Sequence, residues 1–127
     1  METKITDVIK TFEDAAKATG MLETPDFATV PEHLRGYVEA QYQMVVIAEA
    51  LNEGWQPDWD NGNEPKYFAW FYKDEKGVSS GFVFGATAYD FSFALAGNGA
   101  RLCFKTEALA EYAGRQFIDI WNKILLK

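Results

Sequence analysis

Apolar side chains recur at helical spacing through the first half of the chain. Over Thr3–Thr19 this spacing predicts an amphipathic helix that ends at Gly20. Over Pro31–Gly54 it predicts a longer helix, because apolar residues trace one face and proline suits a first helical turn. Gly36 lies within this second helix, at a position where the helix could kink or lose its first turn.

The pattern changes to that of strands in the second half. Aromatic residues predict a strand over Tyr67–Lys73, and Asp74–Gly77 then has the composition of a hairpin turn. The return run Ser79–Leu95 is long for one strand, so Gly85 in its middle predicts a bulge or a break into two strands. Ala100–Lys105 is predicted to be a short final strand.

A strongly periodic segment closes the chain. Thr106 is the predicted N-cap, and apolar residues then mark one helix to the last residue. The predicted order is two helices, a meander of three or four antiparallel strands, and a C-terminal helix. This is an α+β fold in a single domain over residues 1–127, with the helices packed on one face of the sheet.

The junction between the two halves is Gly54–Tyr72, which holds three of the four tryptophans. Prolines, asparagines and a glycine make Trp55–Lys66 a loop. Trp55 and Trp59 are too apolar to remain in water, so both indoles are expected to fix the loop onto the domain.

Acidic side chains in this loop suggest a calcium site. Asp58, Asp60 and Glu64 are oxygen ligands at close spacing. The register of a helix–loop–helix calcium site fails, however, because Asn63 and Ala69 stand where it needs glycine and glutamate. The Asp and Asn side chains of the loop are therefore expected to cap its own turns, and no metal or other cofactor is predicted.

Residues able to perform catalysis are few. His33 is the only histidine and lies in the first turn of a predicted helix, where a solvent-exposed role is expected. Cys103 is the only cysteine, which excludes an internal disulfide, and no histidine lies near it in the sequence. Arg101 and Lys105 would share its strand face. The chain is predicted not to be an enzyme.

Aromatic residues on both faces of the first predicted strand are the strongest indication of function. Strand alternation places Tyr67, Ala69 and Phe71 on one face and Phe68, Trp70 and Tyr72 on the other, and the helices can cover only one of them, which leaves a second face. That face could be covered by the tryptophan-containing loop and the chain's own tails, or it could pair with a second copy. It could also stack the bases of single-stranded nucleic acid beside Arg101 and Lys105, although no ribonucleoprotein-type motif is present.

Charge is unevenly distributed along this acidic, aromatic-rich chain. Of its net charge of −7, residues 1–64 carry −9 and residues 65–127 carry +2. The acidic half is typical of a solvent-exposed surface that aids solubility; it could also bind a basic partner or make the chain a DNA-mimic type inhibitor of a host protein. The overall charge argues against broad duplex binding. Without an apolar run of membrane-spanning length or a signal-peptide pattern, the expected location is the cytoplasm, with no membrane partner.

Two strings in the sequence are specific: ALNEGWxPDW within Val45–Phe71, and RLCFK…LAEYAGxQF within Gly99–Trp121. Together with the glycine- and aromatic-rich segment between them, they resemble a family of small uncharacterised proteins from phages and mobile elements of anaerobic gut bacteria. The resemblance covers about the last two thirds of the chain. It implies an origin but no established activity and no catalytic residues.

The sequence thus predicts a non-catalytic protein-interaction module that self-associates through an aromatic sheet face. The alternatives are single-stranded nucleic-acid binding and the acidic mimic. The candidate binding residues are Trp55, Trp59, Phe68, Trp70, Tyr72, Arg101 and Lys105.

Overall fold

Helices and a small antiparallel sheet alternate along the chain in a computed structural model that describes residues 4–73, 81–90 and 100–126. The elements are α1 (Ile5–Val8), α2 (Phe12–Thr19), α3 (Glu32–Asn52), β1 (Lys66–Lys73), β2 (Phe82–Asp90), a 3-10 helix (Ala100–Leu102), α4 (Glu107–Gln116) and α5 (Ile118–Leu125). The predicted α+β class is confirmed. The described ranges contain two strands, however, rather than three or four.

The first predicted helix is two helices, because the chain breaks between α1 and α2. The hydroxyl of Thr11 accepts a hydrogen bond from the backbone N–H of Asp14 at 3.1 Å. In return, the carboxylate of Asp14 accepts hydrogen bonds from the backbone N–H groups of Lys10 at 3.0 Å and Thr11 at 3.1 Å. This capping box satisfies the first amides of α2 and starts a new helix. The end at Gly20, with φ of 75°, is as predicted.

The long helix α3 runs without interruption through Gly36, so the possible kink is not observed. It ends where Glu53 and Gly54 adopt left-handed conformations, with φ of 50° and 88°. Glycine favours this region, and a single left-handed residue is a common helix end. Among the described helices, including this one of 21 residues, none is long and apolar enough to cross a bilayer.

The bulge predicted at Gly85 is confirmed. Trp70 pairs with Ala86 and Phe71 with Phe84, which leaves Gly85 as the extra residue on β2. A Cβ at Gly85 would overlap the ring of Tyr72, so only glycine permits this close approach. The predicted turn over residues 74–77 and the two ends of the predicted run 79–95 lie outside the described residues.

The predicted final strand at Ala100–Lys105 is wrong. A 3-10 helix is followed by a single bridge in which Phe104 exchanges backbone hydrogen bonds with Tyr67, at 2.8 and 3.1 Å. On either side of this bridge the backbone pairs with a side chain instead. Asn52 donates from Nδ2 to the carbonyl of Cys103 at 2.9 Å and accepts at Oδ1 from the N–H of Lys105 at 3.1 Å.

The C-terminal segment is also two helices rather than one. Thr106 caps α4 as predicted, accepting a hydrogen bond from the N–H of Leu109 at 3.1 Å. The break falls at Phe117, whose φ and ψ of −111° and 30° are not helical. It accompanies a hydrogen bond of 3.1 Å from the indole of Trp121 to the carbonyl of Ala113, so both buried rings turn towards the core.

The core is centred on α3, which contacts α2, α4 and α5. Met44, Ile47 and Leu51 on this helix are fully buried. The sheet joins the same core through Phe71, whose ring centre lies 5.0 Å from that of Trp121. Burial of such side chains is the main stabilising contribution to a domain of this size.

Candidate binding surfaces

The predicted binding residues fall on two surfaces. Phe68, Trp70 and Tyr72 project from β1 beside Val83 and Ala86 of β2; these five residues are the outer sheet face. The second surface is a cavity of about 460 Å³, here called the tryptophan groove. It is lined by Val45, Glu49, Asn52, Gly54, Trp55, Gln56, Pro57, Trp59 and Arg101. Lys105 belongs to neither surface.

The predicted alternation of β1 is confirmed. Ala69 is buried, and Phe71 contacts the core, whereas Trp70 and Tyr72 are 57% and 63% exposed. A two-residue period of this kind is what a strand with one buried face shows. The outer sheet face is therefore the side of β1 that points away from the core.

The aromatic rings on the outer sheet face pack against one another and against the bulge. The ring centres of Phe68 and Trp70 lie 5.9 Å apart, with an angle of 55° between the planes. The ring of Tyr72 lies against the bulge at Gly85. Large rings thus form a ridge along β1, and small residues of β2 form a shallow strip beside it.

The tryptophan groove begins at the last turns of α3. Glu49 and Asn52 come from the helix, and the left-handed residues after it turn the chain back so that the N–H of Trp55 donates to the carbonyl of Asn52 at 3.0 Å. The same Asn52 holds the backbone on both sides of Phe104. Arg101, two residues before Cys103, also lines the groove, so an asparagine that the sequence did not single out ties the helix to the segment that carries Arg101.

A buried lysine fixes the second indole. Lys66 is fully buried, and its ammonium group lies 5.2 Å from the centre of the Trp59 ring. Its Nζ donates to the carbonyls of Asn61 and Glu64 at 3.0 and 3.1 Å and lies 3.8 Å from the Glu64 carboxylate. A buried ammonium needs such partners. Sequence reasoning missed Lys66, and the only available signal was one cation in an otherwise acidic loop.

The candidate metal ligands are engaged within their own loop. The N–H of Asp58 donates to the Glu64 carboxylate at 2.7 Å, and the Asp58 carboxylate accepts from the N–H of Asp60 at 3.0 Å. The ammonium group of Lys66 takes the loop carbonyls that a cation would use. In the part of the chain that the structure describes, no three acidic, histidine or cysteine side chains cluster as metal ligands would.

Charges around the tryptophan groove are predominantly negative. Glu49 and Arg101 line it, are exposed, and form no ion pair with any residue in the described ranges. The exposed carboxylates of Glu53, Asp58 and Asp60 are each one residue from a lining residue. The lining itself therefore carries one carboxylate and one guanidinium group, and three further exposed carboxylates adjoin it in the sequence.

The residues considered for catalysis lie apart. His33 is exposed at the start of α3, beside a second cavity between this helix and the end of α5. Cys103 is buried, so the predicted face that it would share with Arg101 and Lys105 does not form. The absence of enzymatic activity stays a prediction.

Comparison of the chain with protein-family models, with curated proteins and with solved structures finds no match. The resemblance to small proteins of phages and mobile elements therefore stays a prediction. The geometry of the outer sheet face and of the tryptophan groove is the available basis for a functional conclusion.

Proposed function

We propose that the chain is a non-catalytic protein-interaction module that self-associates through the outer sheet face. The observation that carries this proposal is the exposure of Trp70 and Tyr72, at 57% and 63%, side by side on one strand. Aromatic rings bring large contact area, and tryptophan and tyrosine are the residues most often found at the energetic centre of interfaces.

The arrangement of the helices supports the same conclusion. Gly114 of α4 lies against Phe84 and Ala69, and Trp121 of α5 lies against Phe71, so these helices contact the inner side of the sheet. In the part of the chain that the structure describes, Trp70 and Tyr72 on the opposite face stay exposed, which supports a partner on that face. Exposed rings on the side of a sheet that faces away from the helices are typical of an interface.

Shape and charge favour a second copy as that partner. In a two-fold contact, the ring ridge of one copy would lie over Ala86 and Val83 of the other, so each copy supplies both halves of the fit. None of the five residues of the outer sheet face is charged. Each copy carries a net charge of −7, but none of that charge is on these five residues. Like charges are therefore not brought face to face by these five residues.

Sedimentation equilibrium at micromolar concentrations tests the proposal. We expect a dimer whose affinity falls about 30-fold in Trp70→Thr and in Tyr72→Thr, because an interface ring of this kind contributes about 2 kcal/mol. Threonine retains strand propensity, which limits damage to the fold. Tyr37→Ser on α3 removes a ring that is 45% exposed and is the matched control. A strict monomer at tens of micromolar would contradict the proposal.

The position of Arg101 does not support the alternative of single-stranded nucleic-acid binding. That alternative required Arg101 and Lys105 on a strand beside the aromatic strand, whereas Arg101 lies on a 3-10 helix and lines the tryptophan groove. Binding of labelled oligonucleotides at low salt would reinstate it. An origin in a phage or mobile element, and a cytoplasmic location, agree with a small interaction module by analogy only.

A further inference from the structure

The tryptophan groove combines two indole rings with a negative surround, and this combination has a defined ligand chemistry. We propose that the groove binds a basic peptide segment of a partner protein and seats a lysine or arginine side chain against Trp55 and Trp59. This site is separate from the outer sheet face, and the proposal does not depend on self-association.

The chain itself shows that one of these rings accepts a cation. The ammonium group of Lys66 lies 5.2 Å from the centre of the Trp59 ring, within the range of cation–π attraction. Lys66 is fully buried and is balanced by Glu64 at 3.8 Å, so its charge is compensated inside the loop. Trp59 also lines the groove, together with Trp55, and both indoles are half-buried rather than covered.

The charges select the sign of the ligand. Glu49 lines the groove, and Glu53, Asp58 and Asp60 adjoin it in the chain, against the single cation of Arg101. Glu49 and Arg101 balance each other within the lining, so the negative excess comes from the three carboxylates next to it in the chain; an excess of this sign attracts a cationic segment and raises its local concentration. The acidic amino-terminal half of the chain, at −9 over residues 1–64, extends this attraction beyond the groove.

The groove is also preorganised. The backbone of Trp55 is bound to Asn52, the amide of Asn52 holds the segment that carries Arg101, and Lys66 fixes the ring of Trp59. Groups already fixed in the free protein lose little freedom when a ligand binds. The cavity volume of about 460 Å³ falls in the range of sites that hold small ligands or single side chains.

Arg101 makes the proposal directly testable, because it repels a basic ligand and attracts an acidic one. Fluorescence polarisation would compare a labelled peptide of alternating lysine and glycine with its glutamate counterpart and with a single-stranded oligonucleotide, at low salt and at physiological salt. We expect the lysine peptide to bind, and Arg101→Ala to tighten its binding several-fold. Weaker binding of the lysine peptide by Arg101→Ala would overturn the proposal, as would tighter binding of either acidic probe to the wild-type chain.

Matched variants separate the groove from general charge attraction. We expect Trp55→Ala and Glu49→Gln each to weaken lysine-peptide binding about tenfold. Glu13→Gln removes an equal charge from α2, and Trp70→Thr removes a ring from the outer sheet face; both should bind within twofold of the wild-type chain. Equal losses in Glu13→Gln and Glu49→Gln would overturn the proposal, and so would no binding at low salt. We expect Trp55→Ala to sediment as the wild-type chain does. The loss of peptide binding in this variant is then independent of self-association.

Discussion

The ammonium group of Lys66 lies 5.2 Å from the centre of the Trp59 ring, inside a loop whose acidic sequence suggests a metal site. The lysine donates hydrogen bonds to two loop carbonyls, approaches one carboxylate and contacts one indole. A side chain of the protein thus organises this loop through two hydrogen bonds and one ion pair. The same contact holds Trp59, which lines the tryptophan groove. Lys66 therefore contributes both to the stability of the loop and to the shape of the proposed binding site.

Lys66→Met is expected to lower the free energy of unfolding by about 3 kcal/mol. The substitution retains length and apolar bulk but leaves the carbonyls of Asn61 and Glu64 without their donor and the Glu64 carboxylate without its cation. Urea unfolding followed by far-ultraviolet circular dichroism measures the loss.

Lys123→Met is the matched control for this substitution. Lys123 is exposed on α5, so the same chemical change should alter the free energy of unfolding by less than about 0.5 kcal/mol. Equal effects at the two positions would show that net charge, and not the buried contact, decides the result.

Gly114→Ala should destabilise the protein although alanine is the better helix former. A Cβ at this position in α4 would overlap the ring of Phe84 and lie 3.2 Å from the Cβ of Ala69. Overpacking of this kind costs about 1–3 kcal/mol and outweighs a propensity gain of about 1 kcal/mol. Gly36→Ala in α3 meets nothing within 4 Å and should stabilise the fold by up to about 1 kcal/mol. Thermal unfolding of the pair must move in opposite directions.

Periodicity predicted where helices lie but not where they break. Apolar spacing continues through Ile9 and Phe117, both of which are buried, so the pattern has no gap at either break. The breaks depend on hydrogen bonds that periodicity does not register: the capping box of Thr11 and Asp14, and the indole bond of Trp121. The bulge at Gly85 was predictable because an isolated glycine in a strand pattern is a local signal.

The false strand at Ala100–Lys105 has a long-range cause. Its backbone forms hydrogen bonds with the amide of Asn52, about fifty residues earlier. A contact between such distant residues cannot be predicted from the local composition. For the same reason the sequence identified Trp55, Trp59 and Arg101 as binding candidates but assigned Arg101 to the wrong surface. The sequence predicted which side chains could bind a partner. Which of them lie together on one surface is determined by the fold and could not be predicted from local sequence.

Asn52→Ala should lower the free energy of unfolding by about 2 kcal/mol. The substitution leaves the buried carbonyl of Cys103 and the part-buried N–H of Lys105 without the amide that pairs with both. Asn63→Ala, at an exposed loop position, is the control and should have little effect. Hydrogen exchange at the Lys105 amide should accelerate in Asn52→Ala and remain slow in Asn63→Ala, and unchanged protection in both would contradict the assignment.

Stability should depend on pH through Asp14. The hydrogen bond from the backbone N–H of Lys10, followed by those from Thr11, holds the pKa of this carboxyl below its ordinary value of 3.8. The unfolded chain then binds more protons than the folded one between the two pKa values, so stability rises with pH across that interval. The contribution is fully present above pH 3.8 and is lost as the pH falls through the folded pKa.

Asp14→Asn tests this dependence because it removes the charge and keeps the shape. The variant should be less stable than the wild-type chain at neutral pH, and the difference should shrink as the pH falls below 3.8 and through the folded pKa. Glu13→Gln, in the same turn of α2, is the control for the loss of one negative charge near a helix start. Titration of the Asp14 carboxyl by NMR must give a pKa below 3.8; a value above it would mean that the capping hydrogen bonds do not favour the charged form.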